Sequence, residues 1–401
     1  MSDFPTDFLW GAAVAAHQVD GGNTGNDWWD WEHDPASPCV EPSGDAIDQR
    51  HRYADDVALL SGLGLNAYRM SLEWSRIEPE DGDFSRSEIE HYRRVLGTVQ
   101  EAGLTPFVTL HHFTNPRWFA RQGGWDDPRA LDTFSRYTDR VMRDLGDLMP
   151  WVGTVNEPQI LALCGYVIGQ FPPGVQDRDA AVRVSLTLTQ AHRRAVDSVR
   201  SAGHGSRVGP CLQLLPVFPH RPGDEQDEAA TAALRWLMRD VHLDDLRAGG
   251  DVGDFVGLQY YTRAFVDAEL PSLLVRPDPE RVETTQMGWE VHPDSFAVAL
   301  QDAGSVGLPV VVTENGIATA DDQQRHRYLA SHLRVLADQM AAGLDVQGYF
   351  HWSAFDNFEW THGYAPTFGL VGIDRADGLR REVRESARRY GQIARTGSLS
   401  A

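Results

Sequence analysis

No lysine occurs in this chain of 401 residues, so all 36 of its cations are arginines. Schiff-base and pyridoxal chemistry both need a lysine amine and are excluded, and the aldolase class of barrels goes with them. Cations are also scarce relative to anions: against 58 acidic residues the formal net charge is −22. Such a field repels nucleic acid and anionic membranes, which removes partners of those kinds. Cysteine is equally sparse. Cys39, Cys164 and Cys211 are odd in number, far apart and without metal-ligand spacing, which reads as three reduced thiols in a cytoplasmic protein. No run of 18 or more apolar residues is available to cross a membrane, and the opening MSDFPTDFLWG has no basic segment followed by an apolar one. Neither anchoring nor export is expected.

What the chain does have is a hydrophobic content of 42%, enough for a large core, and a recurring grammar of apolar runs that end in polar tips. In LPVVVTENG, residues 308 to 316, three valines run into Thr313-Glu314-Asn315-Gly316. An unbroken β-branched run reads as a strand buried on both faces, as in parallel sheets of α/β proteins. Trp151-Val152-Gly153-Thr154-Val155-Asn156-Glu157-Pro158 has the same form. One such Glu is as readily a helix cap or an arginine partner. Two in matching contexts point to paired carboxylates at the edge of a sheet.

Further strands are expected at residues 8–15, 66–71, 104–110, 207–212, 255–261 and 346–352. Helical periodicity fills the intervals, at 48–63, 85–102, 128–148, 180–202, 227–247, 293–304, 322–342 and 385–395. Eight alternating strand–helix units with no Pro/Gly/Ser-rich linker predict an α/β fold, a (β/α)8 TIM barrel in one domain over 1–401. Chemistry in such barrels is built at the C-terminal ends of the strands. The expected exits carry Gln18, Arg69, His112, Asn156, Glu157, Tyr261, Glu314 and Trp352, with Glu359 and Trp360 just beyond. Carboxylates, amides, an imidazole and indoles are what a sugar ring needs, since its polar edge takes hydrogen bonds and its C–H face stacks on an aromatic ring. A metal site is the competing reading. It is disfavoured because HExxH is missing and the His111-His112 doublet cannot turn both rings to one ion from a strand. No metal and no cofactor are expected.

The segments FLWGAAVAAHQVDGG, YRMSLEWSRIEP, TLHHFTNPRWF, TVNEP, VGLQYYT, TENG and GYFHWSAFDNFEW resemble, in order and spacing, the motifs of glycoside hydrolase family 1, the retaining β-glucosidases and their relatives. The resemblance implies Glu157 as acid/base and Glu314 as nucleophile. It further implies Gln18, His112, Asn156, Glu359 and Trp360 as ligands of the non-reducing sugar, Trp352 as its stacking platform, and Arg69 and Tyr261 as partners of the nucleophile. Relatives specific for 6-phosphates usually have a serine at the position of Glu359, with a lysine and a tyrosine nearby. The chain departs from the pattern in places. Asp20 stands for the Glu of Gln-x-Glu, Gln259 for the Asn of Asn-Tyr-Tyr, and Phe113-Thr114-Asn115-Pro116 for Trp-Asp-x-Pro, while the usual basic pair before Phe368 is missing. Its length is short for the family, which implies trimmed loops on the leaving-group side.

The function implied is an exo-acting retaining β-glycosidase releasing terminal β-D-glucosyl residues, or galactosyl or fucosyl ones, from small glycosides or short oligosaccharides. Retention requires one ionised and one protonated carboxyl about 5–5.5 Å apart. Transglycosylation to an acceptor alcohol or sugar, a carbohydrate-binding barrel without turnover, and a metal-dependent barrel lyase or hydrolase are the alternatives. Oligomeric state has no signature in the sequence.

Overall fold

The computed structural model describes residues 3–270 and 273–400. All eight expected runs form barrel strands: β1 (Leu9–Ala13), β2 (Ala67–Ser71), β3 (Thr105–His111), β4 (Trp151–Asn156), β5 (Arg207–Gln213), β6 (Val256–Tyr260), β7 (Val310–Asn315) and β8 (Val346–Trp352). Each pairs in parallel with its neighbours in sequence, and β1 closes the ring on β8 from Leu9↔Gly348 to Ala13↔Trp352. The architecture is the closed (β/α)8 barrel that the strand–helix alternation predicts.

Side chains alternate between two cores. Phe107 of β3 touches Phe255, the residue just before β6, and Phe350 of β8, with ring centroids 5.5 and 5.3 Å apart. Contacts across the ring are possible only in the interior, which Ala67, Trp151, Cys211 and Val311 also fill. Tyr68, Val108, Val152, Leu258, Val310 and Val312 face outward into the layer beneath the helices. Those helices start and stop where the sequence provides caps. The Ser85 side chain accepts from Glu88 N at 3.3 Å at the head of Arg86–Glu101, and Asp177 does the same for Asp179 N at the head of Arg178–Ala202. Gly64, in the left-handed region at φ 95, ends Gln49–Leu63.

The expected helix over 227–247 is interrupted. It runs Glu225–Arg235, then a π turn over Trp236–Asp240, then Val241–Arg247. A second π turn, Leu163–Ile168, follows the short helix Pro158–Ala162 just after β4. A π turn is a single widened turn inside an otherwise helical run, too short an interruption for periodicity read over a longer window to resolve. Two small sheets were also beyond the reach of periodicity: Val217–Pro219 with Ala264–Val266, and Val371–Asp374 with Arg380–Val383. Their three- and four-residue strands are too short to show alternation.

Candidate active site

The polar tips gather at the C-terminal mouth of the barrel around a cavity of about 250 Å³. Glu157 and Glu314 both line it, with His112, Tyr261, Trp352, Glu359 and Trp360. Strict alternation would not bring Glu314 there. Val310 and Val312 face outward and Val311 inward, so unbroken pleating sends residue 314 outward. Between Leu258↔Val312 and Gln259↔Glu314 the register slips by one residue, and this bulge turns Glu314 to the interior. A similar slip lies between Gly153↔Gly209 and Asn156↔Cys211 and re-aims the end of β4. Glu157 then leaves β4 with φ 43, and Phe113 (φ 67) and Trp360 (φ 51) on the same cavity wall are also left-handed. Non-glycine residues in that region cost on the order of 1–3 kcal/mol each, and they persist where the surroundings over-determine them, as at functional sites. Gly316, just past Glu314, makes the packing here possible. A Cβ at that position would sit 1.7 Å from the Trp352 carbonyl oxygen.

The two carboxyls have opposite surroundings. Glu314 Oε1 accepts from Arg69 Nη1 at 2.5 Å and Gln259 Nε2 at 2.7 Å, and Oε2 accepts from the Tyr261 hydroxyl at 2.5 Å. Glu157 Oε1 is buried without any hydrogen-bond partner. Burial pushes both carboxyls above the ordinary range. Arg69 and the Tyr261 hydroxyl oppose the rise at Glu314. At Glu157 burial and then the charge of Glu314 drive the carboxyl well above it. The pair therefore ionises in a fixed order, Glu314 first. Burial, and then Glu314, raise the Tyr261 hydroxyl well above its usual value, so it remains a donor.

Asn156 Oδ1 accepts from Arg69 Nη2 (2.6 Å) and Gln259 Nε2 (2.7 Å), and its Nδ2 lies 3.2 Å from His112 Nε2. His112 is kept neutral by burial, with Arg69 adding to the effect. Its ring lies nearly parallel to Trp352 and Trp360, at 6.0 and 6.2 Å. Gln18 donates from Nε2 to Phe358 O (2.8 Å), Asn357 Oδ1 (3.1 Å) and Glu359 Oε2 (3.3 Å), which leaves its buried Oε1 free. Glu359 is only partly accessible, and burial with the nearby Glu314 charge pushes its carboxyl up to about 8. All ten expected site residues thus share one constellation: seven line the cavity, and Gln18, Asn156 and Arg69 hydrogen-bond directly to lining residues, to Glu359, His112 and Glu314 respectively. His111 turns away from His112, bonding Asn115 at 3.0 Å with its ring edge-on to Trp125. Among the described residues no group of three or more His, Cys, Asp or Glu side chains is placed to hold a metal ion.

Residues beyond the expected set also belong here. Gln259, noticed in the sequence only as a departure, spans Glu314 and Asn156 with one amide nitrogen. Asp20, the other departure, is not on the cavity wall; burial, partly offset by Arg76 and Arg50, raises it to about 6. Gln213, Met287 and Trp289 line the cavity from segments that carry no motif of their own.

The chain is similar over its whole length to known proteins. The model of the family described as glycosyl hydrolase family 1 matches residues 1–251 and 238–398. A thermostable beta-glucosidase B of Thermobispora bispora is 34% identical, covering 99% of this chain and 91% of the relative. A beta-glycosidase from Pyrococcus horikoshii superposes with a TM-score of 0.92 at 35% identity, covering 99% of this chain and 96% of that one. A beta-glucosidase from Thermotoga maritima in complex with glucoimidazole gives 0.91 at 29%, with 98% and 99% covered. Motif order, barrel and full-length similarity agree: this glycoside-hydrolysing enzyme belongs to glycosyl hydrolase family 1.

Proposed function

We propose that the enzyme releases a terminal β-D-glucosyl unit with retention, by double displacement through Glu314 and Glu157. The asymmetry of the two carboxyls carries this reading. Glu314, held by a guanidinium, an amide and a hydroxyl, is the ionised group that attacks the anomeric carbon. Oε2, with one donor against two at Oε1, keeps more lone-pair capacity and is the attacking oxygen. Glu157, unpartnered and disfavoured as an anion, carries the proton and gives it to the leaving oxygen. Once glycosylation consumes the Glu314 charge, the largest electrostatic cause holding that proton disappears. Glu157 then takes a proton from water, which attacks the glycosyl ester.

Gln18, His112, Glu359 and Trp360 hold the hydroxyls of the sugar, Trp352 carries its face, and Asn156 bonds the 2-hydroxyl, a contact that strengthens in the oxocarbenium-like transition state. Glucose is the glycone we favour. The Thermobispora relative is named a beta-glucosidase and the Thermotoga structure holds glucoimidazole. Galactosides and fucosides, which offer related hydroxyl sets, are the next to rank. We treat residues 1–401 as one catalytic domain working in the cytoplasm, where three unpaired cysteines are at home. No helix among the described residues is long and apolar enough to cross a membrane. The test is proton NMR of the first-formed sugar from p-nitrophenyl β-glycosides, ranked by kcat/KM. The β-anomer is expected first, and initial release of the α-anomer would overturn retention.

A further inference from the structure

The cavity is layered. Of the side chains assigned to the sugar ring, Gln18, His112, Asn156, Trp352 and Trp360 are buried and only Glu359 is half-buried, whereas Ile160, Cys164, Gln213, Met287 and Trp289 are all half-buried and form a band at the mouth, with exposed Gln170 and His362 outside it. Ile160 and Cys164 follow Glu157 by three and seven residues along its own helical turns, so they flank whatever receives the acid's proton. On the facing side Trp289 lies 5.5 Å from the Tyr261 ring. Its loop is pinned: Thr285 N donates to Trp289 O (2.9 Å), Gln286 N donates to Ala318 O (2.9 Å), and Arg263 forks onto Glu290 at 2.8 and 2.9 Å. This wall exists before any ligand arrives.

The band contains no charged side chain. Its thiol stays protonated, since burial pushes Cys164 up to about 12, and Gln213 is its one amide, with Oε1 buried and unpartnered. A second sugar would bring several hydroxyls to a band that offers one amide, and hydroxyls left unpaired on burial weaken binding. A flat apolar group has no such need and gains from covering Trp289, Met287 and Ile160. Resting on the β-glycosidase reading above, we infer that the leaving-group half of this cavity is built for an uncharged aryl or arylalkyl alcohol rather than for a second sugar.

The test compares kcat/KM for benzyl β-D-glucoside, methyl β-D-glucoside and cellobiose, all of which release an aliphatic alcohol oxygen. Benzyl β-D-glucoside is expected to exceed cellobiose by about tenfold or more, and Trp289→Ala to bring the benzyl-to-methyl ratio toward one. Ile160→Gln, on the opposite wall, should lower the same ratio and serves if Trp289→Ala does not fold. Cellobiose turned over as well as the benzyl glucoside, or a ratio unmoved by both variants, overturns the inference while leaving the β-glycosidase reading intact. Failure to hydrolyse these three and every p-nitrophenyl β-glycoside overturns both.

Discussion

Tyr261 and Arg69 hold opposite oxygens of Glu314, the hydroxyl on Oε2 and the guanidinium on Oε1, each at 2.5 Å. Glu157, facing the same cavity, has no donor on Oε1. The barrel therefore supplies two carboxyls with unequal claims on a proton, and the consequences can be measured one residue at a time.

Glu314→Gln should abolish turnover of every substrate, because no neighbouring group can form the covalent bond in its place. In Glu314→Ala the vacated space admits a small anion, so azide or formate should restore part of the activity and give a product of inverted configuration. Wild-type-like hydrolysis by Glu314→Gln would sink the assignment.

Glu157→Ala should distinguish substrates by their leaving groups. Activated aryl glycosides leave without a proton, so their first step survives while the second slows, giving a burst of phenol and a low KM. Azide should then speed the second step with retained configuration. Equal losses for good and poor leaving groups would show that Glu157 is not the acid.

Much of this was legible in the sequence, and what was not shares a cause. Val346–Trp352 and Pro293–Gly304 fall at their expected bounds because an apolar run and a capped periodic segment are local signals. The polar tips after β4 and β7 were visible for the same reason. The aim of Glu314 was not, because it depends on a slip of β7 against β6, and a pairing register belongs to two strands at once. The left-handed backbone at Glu157 and Trp360, and the arrival of Met287 and Trp289 at the mouth, are likewise set by tertiary contacts without a local residue pattern.

Gln259 is the departure with the most to lose. Its Nε2 serves Asn156 Oδ1 and Glu314 Oε1 together at 2.7 Å, and a side chain shorter by one methylene would not reach both from the same backbone. Gln259→Met keeps the length and removes the donor. Hydrogen bonds to charged groups contribute about 1.5–3 kcal/mol, so kcat/KM should fall by roughly 10- to 150-fold. A change under threefold would leave Arg69 and Tyr261 as sufficient support for the nucleophile.

The acid should cost the fold stability. Glu157 binds its proton more tightly when folded than its ordinary value of 4.5 allows, so the folded state is favoured below that pH and loses ground as pH rises toward the elevated value. Each pKa unit of that shift corresponds to about 1.4 kcal/mol. Glu157→Gln removes the titration without changing shape. Its Tm should exceed that of the wild type by a margin that widens between pH 5 and pH 8, and a margin constant across that interval would contradict the raised pKa.

Unphosphorylated sugars should be preferred strongly over their 6-phosphates. Among the described residues lining the cavity there is no arginine, and burial keeps His112 neutral, so no cation awaits a dianion beside the buried sugar-binding side chains at neutral pH. Burying a phosphate there without a counter-charge costs several kcal/mol, on the order of a thousandfold in kcat/KM. Glu359 adds a signature in pH. With its carboxyl near 8, it is largely protonated at neutrality and ionises above, so its repulsion of the phosphate grows as pH rises through that value. A phosphate monoester is already mostly a dianion by pH 7. The ratio of kcat/KM for p-nitrophenyl β-glucoside to that for its 6-phosphate should therefore be large at pH 7 and larger at pH 9. In Glu359→Gln the rise should vanish while the preference itself remains. Equal or better turnover of the phosphate by the wild type would overturn both the role of Glu359 and the substrate class.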